Sequence, residues 1–186
     1  MDRRNPLTDF SARNIEAMPV LTILTYPDPL LKEPAEPVEH IDDEIQQLIE
    51  DMAETMYQAP GVGLAATQAG IAKRVIVFDP DSDPESRNFH VLINPAIVDA
   101  RGKIVSENEG CLSVPDFRSD VNRFAEVVVE GLDRHGNKQR YEATGLLATI
   151  LQHEIDHLHG ILFIDRISAL KRQIYQRKRK KALKEA

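Results

Sequence analysis

The sequence predicts an α+β fold of mainly antiparallel strands built around one ionisable helix. Three observations carry that expectation. Strand-like segments follow one another without the regular strand–helix alternation that marks a parallel sheet. Two stretches repeat apolar residues at the helical spacing of three and four. One of these, Gly145 to Gly160 (GLLATILQHEIDHLHG), places His153, Glu154 and His157 within an otherwise apolar run.

Along the chain, residues 1–18 are polar and unpatterned and are expected to be an extension of uncertain order. Val20 to Thr25 predicts a short strand, closed by Tyr26-Pro27-Asp28-Pro29, and Pro34 and Pro37 keep the path extended. A helix is expected from Asp42 or Asp43, with Ile41, Ile45, Leu48, Ile49, Met52 and Met56 forming its apolar stripe, and it stops before Pro60-Gly61. Its methionines read as core filling. The small residues of Gly61-Val62-Gly63-Leu64-Ala65-Ala66-Thr67-Gln68 let backbone approach a neighbour closely. A phosphate loop is excluded there, since no Lys-Ser/Thr pair follows and the stretch precedes a strand.

Lys73 to Asp79 predicts a strand, and Val91 to Ile93 another that ends at Asn94-Pro95. The intervening acidic loop lacks the spacing and closing glutamate of a calcium loop. Ile97 to Val105 suggests one or two short strands around Arg101-Gly102. Cys111 follows in Glu109–Pro115, between a flexible glycine and a proline stop. Phe124 to Gly131 and Lys138 to Ala143 alternate across a polar turn and predict a hairpin. Thr144 is the expected N-cap of the histidine helix and Gly160 the residue just beyond its end. Ile161 to Ile164 reads as a strand or extended exit, and a last helix from Ser168 is expected to pack Leu170, Ile174 and Tyr175 on the body.

At 186 residues the chain suits one domain and is long enough to bury about 70% of its unfolded surface. The expected division is an extension over 1–18, a catalytic domain over 19–170 and a basic helix or tail over 171–186. With 42% hydrophobic and 28% charged residues, disordered and fibrous classes are excluded. A single cysteine rules out an internal disulfide and fits a reducing compartment. The net charge of −7 hides an asymmetry, because residues 171–186 carry eight basic residues against Glu185, a balance of +7, and the rest carries −14. An acidic body with a basic end suggests two kinds of partner. No run approaches the ~18 apolar residues of a membrane span, and the amino terminus lacks a secretory apolar region, so a cytoplasmic, membrane-free protein is expected. A monomer is the expected state.

His153 and His157 lie one turn apart, so they share a helix face, with Glu154 beside them. Two neutral imidazoles at this spacing ligate one divalent ion, and the adjacent carboxylate can reach a water on it. A third ligand is required. In extended zinc-protease motifs a third histidine would fall at Phe163, and the only downstream glutamate is Glu185 in the basic tail. Cys111 remains, and a thiolate with two imidazoles gives three ligands and one open position, the pattern of a catalytic rather than a structural site.

GVGLAATQ, EGCLS and QHEIDH, in this order, resemble the three signature motifs of peptide deformylases over roughly residues 20–170. The resemblance implies a hydrolase that removes the formyl group from the initiator methionine of nascent chains and releases formate. It implies Cys111, His153 and His157 as metal ligands, ferrous iron as the metal in the cell, and zinc, nickel or cobalt as possible occupants of purified protein. Glu154 would take the proton from the attacking metal-bound water and return it to the leaving amine, while the Leu112 N–H and the Gln68 amide stabilise the oxyanion. The peptide would add as a strand along Gly61 to Leu64, with Val62, Gly63 and Leu64 in contact, and the methionine would enter a pocket of Val62, Leu146, Thr149 and Ile150. Arg118 would touch the peptide backbone or pair with Glu109, for which a structural role is favoured. Glu107 departs from relatives that carry an apolar residue there. An endopeptidase of the HExxH type is the enzymatic alternative. A ribosome- or RNA-binding module carried by Lys171 to Lys184 is the other, and some family members are similar in docking this end on the ribosome.

Overall fold

The computed structural model describes residues 20–81 and 86–185. The extension expected over 1–18 lies outside the described residues. Among the described residues, three α-helices and seven strands run in the order α1 (Asp43–Gln58), β1 (Gly63–Ala65), β2 (Val75–Phe78), β3 (His90–Arg101), β4 (Ile104–Cys111), β5 (Val114–Arg123), β6 (Glu126–Leu132), β7 (Lys138–Thr144), α2 (Gly145–Leu158) and α3 (Ala169–Glu185). Five strands form one antiparallel sheet in the order β1-β2-β3-β6-β7, and β4 pairs with β5 in a separate ribbon. The α+β expectation holds.

Alternation of side chains along β2 explains the layering. Val75 and Val77 face α1 and join Leu48, Ile49, Met52 and Met56 in one cluster. Ile76 and Phe78 face the other way, against Leu151, Ile155 and Leu158 of α2. A four-residue strand buried on both faces has no polar side to show, which is why the sequence reads VIVF. The fully buried Ile49, Met52 and Met56 each stabilise the α1 side by about 2 kcal/mol. Asp42 caps α1, its Oδ1 accepting from the Ile45 N–H at 3.0 Å. The opposite face of α2 meets the β4–β5 ribbon, beneath which Val114, Val121, Leu162, Phe163 and Tyr175 form a third cluster. The histidine helix is therefore enclosed between sheet and ribbon.

Several local expectations are corrected. Val20 to Thr25 is not a strand. Its backbone is held singly, by Leu21 N–H donating to Thr55 Oγ1 and Leu24 N–H to the Gln68 carbonyl. Asn94-Pro95 does not end β3; Asn94 takes a positive φ of 53° and the strand bulges and continues to Arg101. Pro115 does not stop the chain either, because it sits inside β5, whose ladder partner is only an edge ribbon. Phe163–Asp165 is a 3-10 turn rather than a strand. On α3, Tyr175 is buried as expected, but Leu170 and Ile174 are exposed. Polar contacts hold that helix instead: Arg179 Nε donates to the Tyr26 carbonyl at 2.8 Å and Gln176 Nε2 to Tyr26 Oη at 2.9 Å.

Thr144 occupies the N-cap position of α2 without a side-chain capping bond. Gly160 follows the helix at φ 69°, and a Cβ there would come within 2.3 Å of the Lys32 carbonyl oxygen, so both conformation and space require glycine. Among the described residues no helix is long and apolar enough to cross a membrane.

Candidate metal centre

Helix α2 carries two stripes. Ala148, Leu151, Ile155 and Leu158 pack on the sheet, while His153, Asp156 and His157 face the ribbon, with Glu154 on the flank that borders the cavity. The end of β4 brings Cys111 to them across a tight reversal in which Cys111 pairs with Val114. Cys111 Sγ lies 3.2 Å from His157 Nε2, and the two Nε2 atoms are 3.2 Å apart. The ligating atoms of Cys111, His153 and His157 all fall within 4.8 Å of one another.

The surroundings fix which histidine nitrogen faces the cluster. Glu109 Oε1 sits 2.7 Å from His153 Nδ1, so that nitrogen carries the proton and Nε2 turns its lone pair inward. Arg123 in turn holds Glu109 through two bonds, at 3.2 and 2.5 Å, and reaches Asp156 Oδ2 at 2.7 Å. Arg166 closes the chain on Asp156. Burial pushes the Glu109 carboxyl up, but hydrogen bonds from His153 and Arg123 outweigh it and leave it at about 2. The anion is thereby secured. Burial likewise opposes charge on His153, yet its bonds to Cys111 and Glu109 raise its proton affinity; burial and the neighbouring His153 charge lower that of His157. A soft thiolate and two imidazole nitrogens, converging in a buried pocket with one imidazole oriented from behind, fit a divalent transition metal.

Glu154 stands beside this cluster. Burial raises its carboxyl to about 7, and among the described residues its Oε2 has no hydrogen-bond partner although it is buried. A carboxyl poised near neutrality suits proton transfer. Gly63 explains how it fits: a Cβ on Gly63 would lie 2.5 Å from Glu154 Oε1. Gln68 is held on both ends, its Oε1 accepting from Ala65 N–H at 2.9 Å and its Nε2 donating to Ser113 Oγ at 3.1 Å and toward Cys111 Sγ at 3.5 Å.

A cavity of about 890 Å³ opens over this group, with Val62, Gly63, Gln68, Leu112, Thr149 and Ile150 in its lining. Leu146 and Arg118 also border it, as do Cys111, His153 and Glu154. Of the residues singled out from sequence, two are placed elsewhere: Leu64 is fully buried in the α1 cluster, and His157 lies beneath the cavity. The Glu109–Arg118 pairing does not form. Glu109 takes Arg123, and Arg118 Nη1 donates to the Asn108 carbonyl at 3.3 Å. Sequence reasoning missed Arg123 and Asp156. Asp156 was legible in principle, being three residues after His153 on the same helix face.

Comparison with known proteins finds one family over most of the chain. The profile of the polypeptide deformylase family matches residues 20–173. The peptide deformylase of Desulfosudis oleivorans is 53% identical over 169 residues, covering 91% of this chain and 98% of its own. That of Syntrophobacter fumaroxidans is 54% identical over 169 residues, with 91% and 99% covered. Among solved structures, a peptide deformylase from Legionella pneumophila superposes with a TM-score of 0.83 at 44% identity, covering 90% of this chain and 98% of that one. One from Synechococcus elongatus, solved in complex with actinonin, gives 0.80 at 43% identity, with 88% and 89% covered.

Proposed function

This chain belongs to the polypeptide deformylase family and is an enzyme, and on that premise we propose that it removes the N-formyl group from the initiator methionine of nascent chains, with Cys111, His153 and His157 holding one divalent ion. The observation that carries the reading is the convergence of those three donors beside a buried, unpartnered carboxylate. Ferrous iron is the proposed ion in the cell, with zinc, nickel or cobalt as substitutes. When bound, the ion supplies Lewis acidity that makes water a nucleophile at neutral pH.

The chain's own groups account for the rest. Glu154 accepts the proton of the attacking water and returns it to the amine nitrogen as the formyl C–N bond breaks, so formate leaves with the water oxygen and the peptide leaves with a free amino terminus. The Leu112 N–H and the Gln68 amide donate to the formyl oxygen as it gains charge, and each such donor supplies about 3 kcal/mol. Gln68 is suited to this because its amide is fixed before substrate arrives. Strand β1 lies at the sheet edge with only β2 beside it, which leaves its outer side for the peptide backbone. Val62, Leu146, Thr149 and Ile150 offer an apolar wall for the methionine side chain, and Arg118 a donor for the peptide backbone. The division of the chain into an extension (1–18), a catalytic domain (19–170) and a basic end (171–186) is part of the same reading, as are a cytoplasmic, monomeric state and ribosome contact through the basic end.

The test compares products. Metal-loaded protein is expected to release formate stoichiometrically from a formyl-Met peptide and to leave an unblocked peptide of the same sequence intact. Cleavage of internal peptide bonds without formate would favour the endopeptidase reading instead.

A further inference from the structure

We propose that Arg166 is a positioning residue for the metal centre, acting on His153 through Asp156, Arg123 and Glu109. The inference deepens the reading that Cys111, His153 and His157 hold the ion, and it rests on that reading. The two histidines are not supported alike. Among the described residues His157 Nδ1 is buried without a hydrogen-bond partner, whereas His153 Nδ1 meets Glu109 Oε1 at 2.7 Å. The His153 ring also stacks on the fully buried Phe163, with centroids 6.3 Å and planes 25° apart. Phe163 opens the 3-10 turn Phe163–Asp165, and Arg166 ends it, its N–H donating to the Phe163 carbonyl at 3.0 Å. One turn of chain therefore braces the same imidazole twice, directly through a ring and indirectly through a guanidinium.

The indirect route is an unbroken line of charged groups. Arg123 divides its fork in two directions: Nε and Nη2 donate to Glu109, and Nη1 donates to Asp156 Oδ2. Arg166 grips the same carboxylate from outside, with Nε on Oδ2 and Nη2 on Oδ1. Paired contacts of this kind fix a carboxylate in orientation as well as in charge. With Arg166 present, two carboxylates and two guanidinium groups balance. Without it one buried negative charge is left over, and Asp156 draws Arg123 undivided. The hold of Arg123 on Glu109 then loosens, and with it the orientation of His153. Of these four groups only Arg166 has a solvent-exposed side chain, at 41%, so it can be exchanged without opening the core. Arg166 touches neither the ligands nor the reacting atoms.

The experiment loads the full chain with cobalt(II) and follows loss of the ion to excess EDTA. It compares Arg166→Gln with Arg172→Gln, which removes the same charge from beside the neighbouring Asp165. Arg166→Gln is expected to speed cobalt loss about tenfold, the lower end of what groups behind a metal ligand contribute, and to shift the visible absorption bands of the cobalt form. Arg172→Gln should leave the bands unchanged and the rate within about twofold of native. In a Glu109→Gln background the effect of Arg166→Gln should shrink below about twofold, because the route to His153 is already cut. Three results overturn the proposal: native-like loss and bands in Arg166→Gln, an equal effect of Arg172→Gln, or an effect of Arg166→Gln that persists in full in Glu109→Gln. If Glu109→Gln does not fold, the bands decide, since they report the ligand geometry, which a looser turn alone leaves unaltered. Native protein that binds cobalt while Arg166→Gln behaves identically sinks the positioning role alone. Native protein that binds no cobalt sinks the metal reading as well.

Discussion

At the scale of single residues, the site depends on close approaches that only particular side chains permit. Gly63 is one, because a methyl group there would overlap Glu154 Oε1 and drive the carboxylate from its position. A displacement near 1 Å costs about 100-fold in rate, so Gly63→Ala is expected to lose that much activity while its far-ultraviolet circular dichroism stays unchanged. Arg123 is another, as the shared cation between Glu109 and Asp156. Removing one member of a buried ion network costs about 3–5 kcal/mol, so Arg123→Met should lower the urea midpoint by the equivalent of that loss. A loss below about 1 kcal/mol would mean the two acids find other partners. His153, His157, Glu154 and Cys111 were legible in the sequence from spacing and elimination. Arg123 was not, because its role depends on two acids that lie 14 and 33 residues away along the chain.

At the scale of elements, regular alternation was readable and irregular strands were not. The helix from Asp42 onward, strand β2 and the β6–β7 hairpin all follow periodic apolar patterns. Strand β5 breaks that pattern, since its inward positions include Ser119, which accepts from Lys171, and Arg123, which holds the carboxylates of Glu109 and Asp156 behind the site. Local rules fail where function intervenes. The hairpin turn shows how one side chain can organise an element. Asp133 accepts from the backbone N–H groups of His135 and Asn137 and from the side chains of Asn137 and Gln139. These bonds, led by the Asn137 side chain, hold its carboxyl down at about 2. Because the folded value lies below the ordinary value near 4, the stabilisation is present above about pH 4 and fades as pH falls toward 2. Asp133→Asn should therefore lower Tm at pH 7, with the gap to the native protein closing through that window. A gap independent of pH would assign the effect to packing instead.

At the scale of the whole molecule, one helix is shared by two sheets: its apolar stripe secures the five-stranded sheet, and its ionisable stripe meets a cysteine delivered by the separate ribbon. The fold class was readable because its parts are periodic, whereas the enclosure of α2 depends on ribbon register that no local pattern reveals. The basic end behaves differently from its expected apolar docking, since polar bonds to Tyr26 and Thr25 hold α3 beside one buried tyrosine. The central claim is that three side chains hold an ion while a fourth moves the proton. It is tested most directly by formate release per bound metal in Glu154→Gln, with metal content measured on the same sample. One ion per chain and a rate lowered about 100- to 10,000-fold are predicted. A rate near that of the unmodified protein, with the ion bound, would contradict the assignment of Glu154.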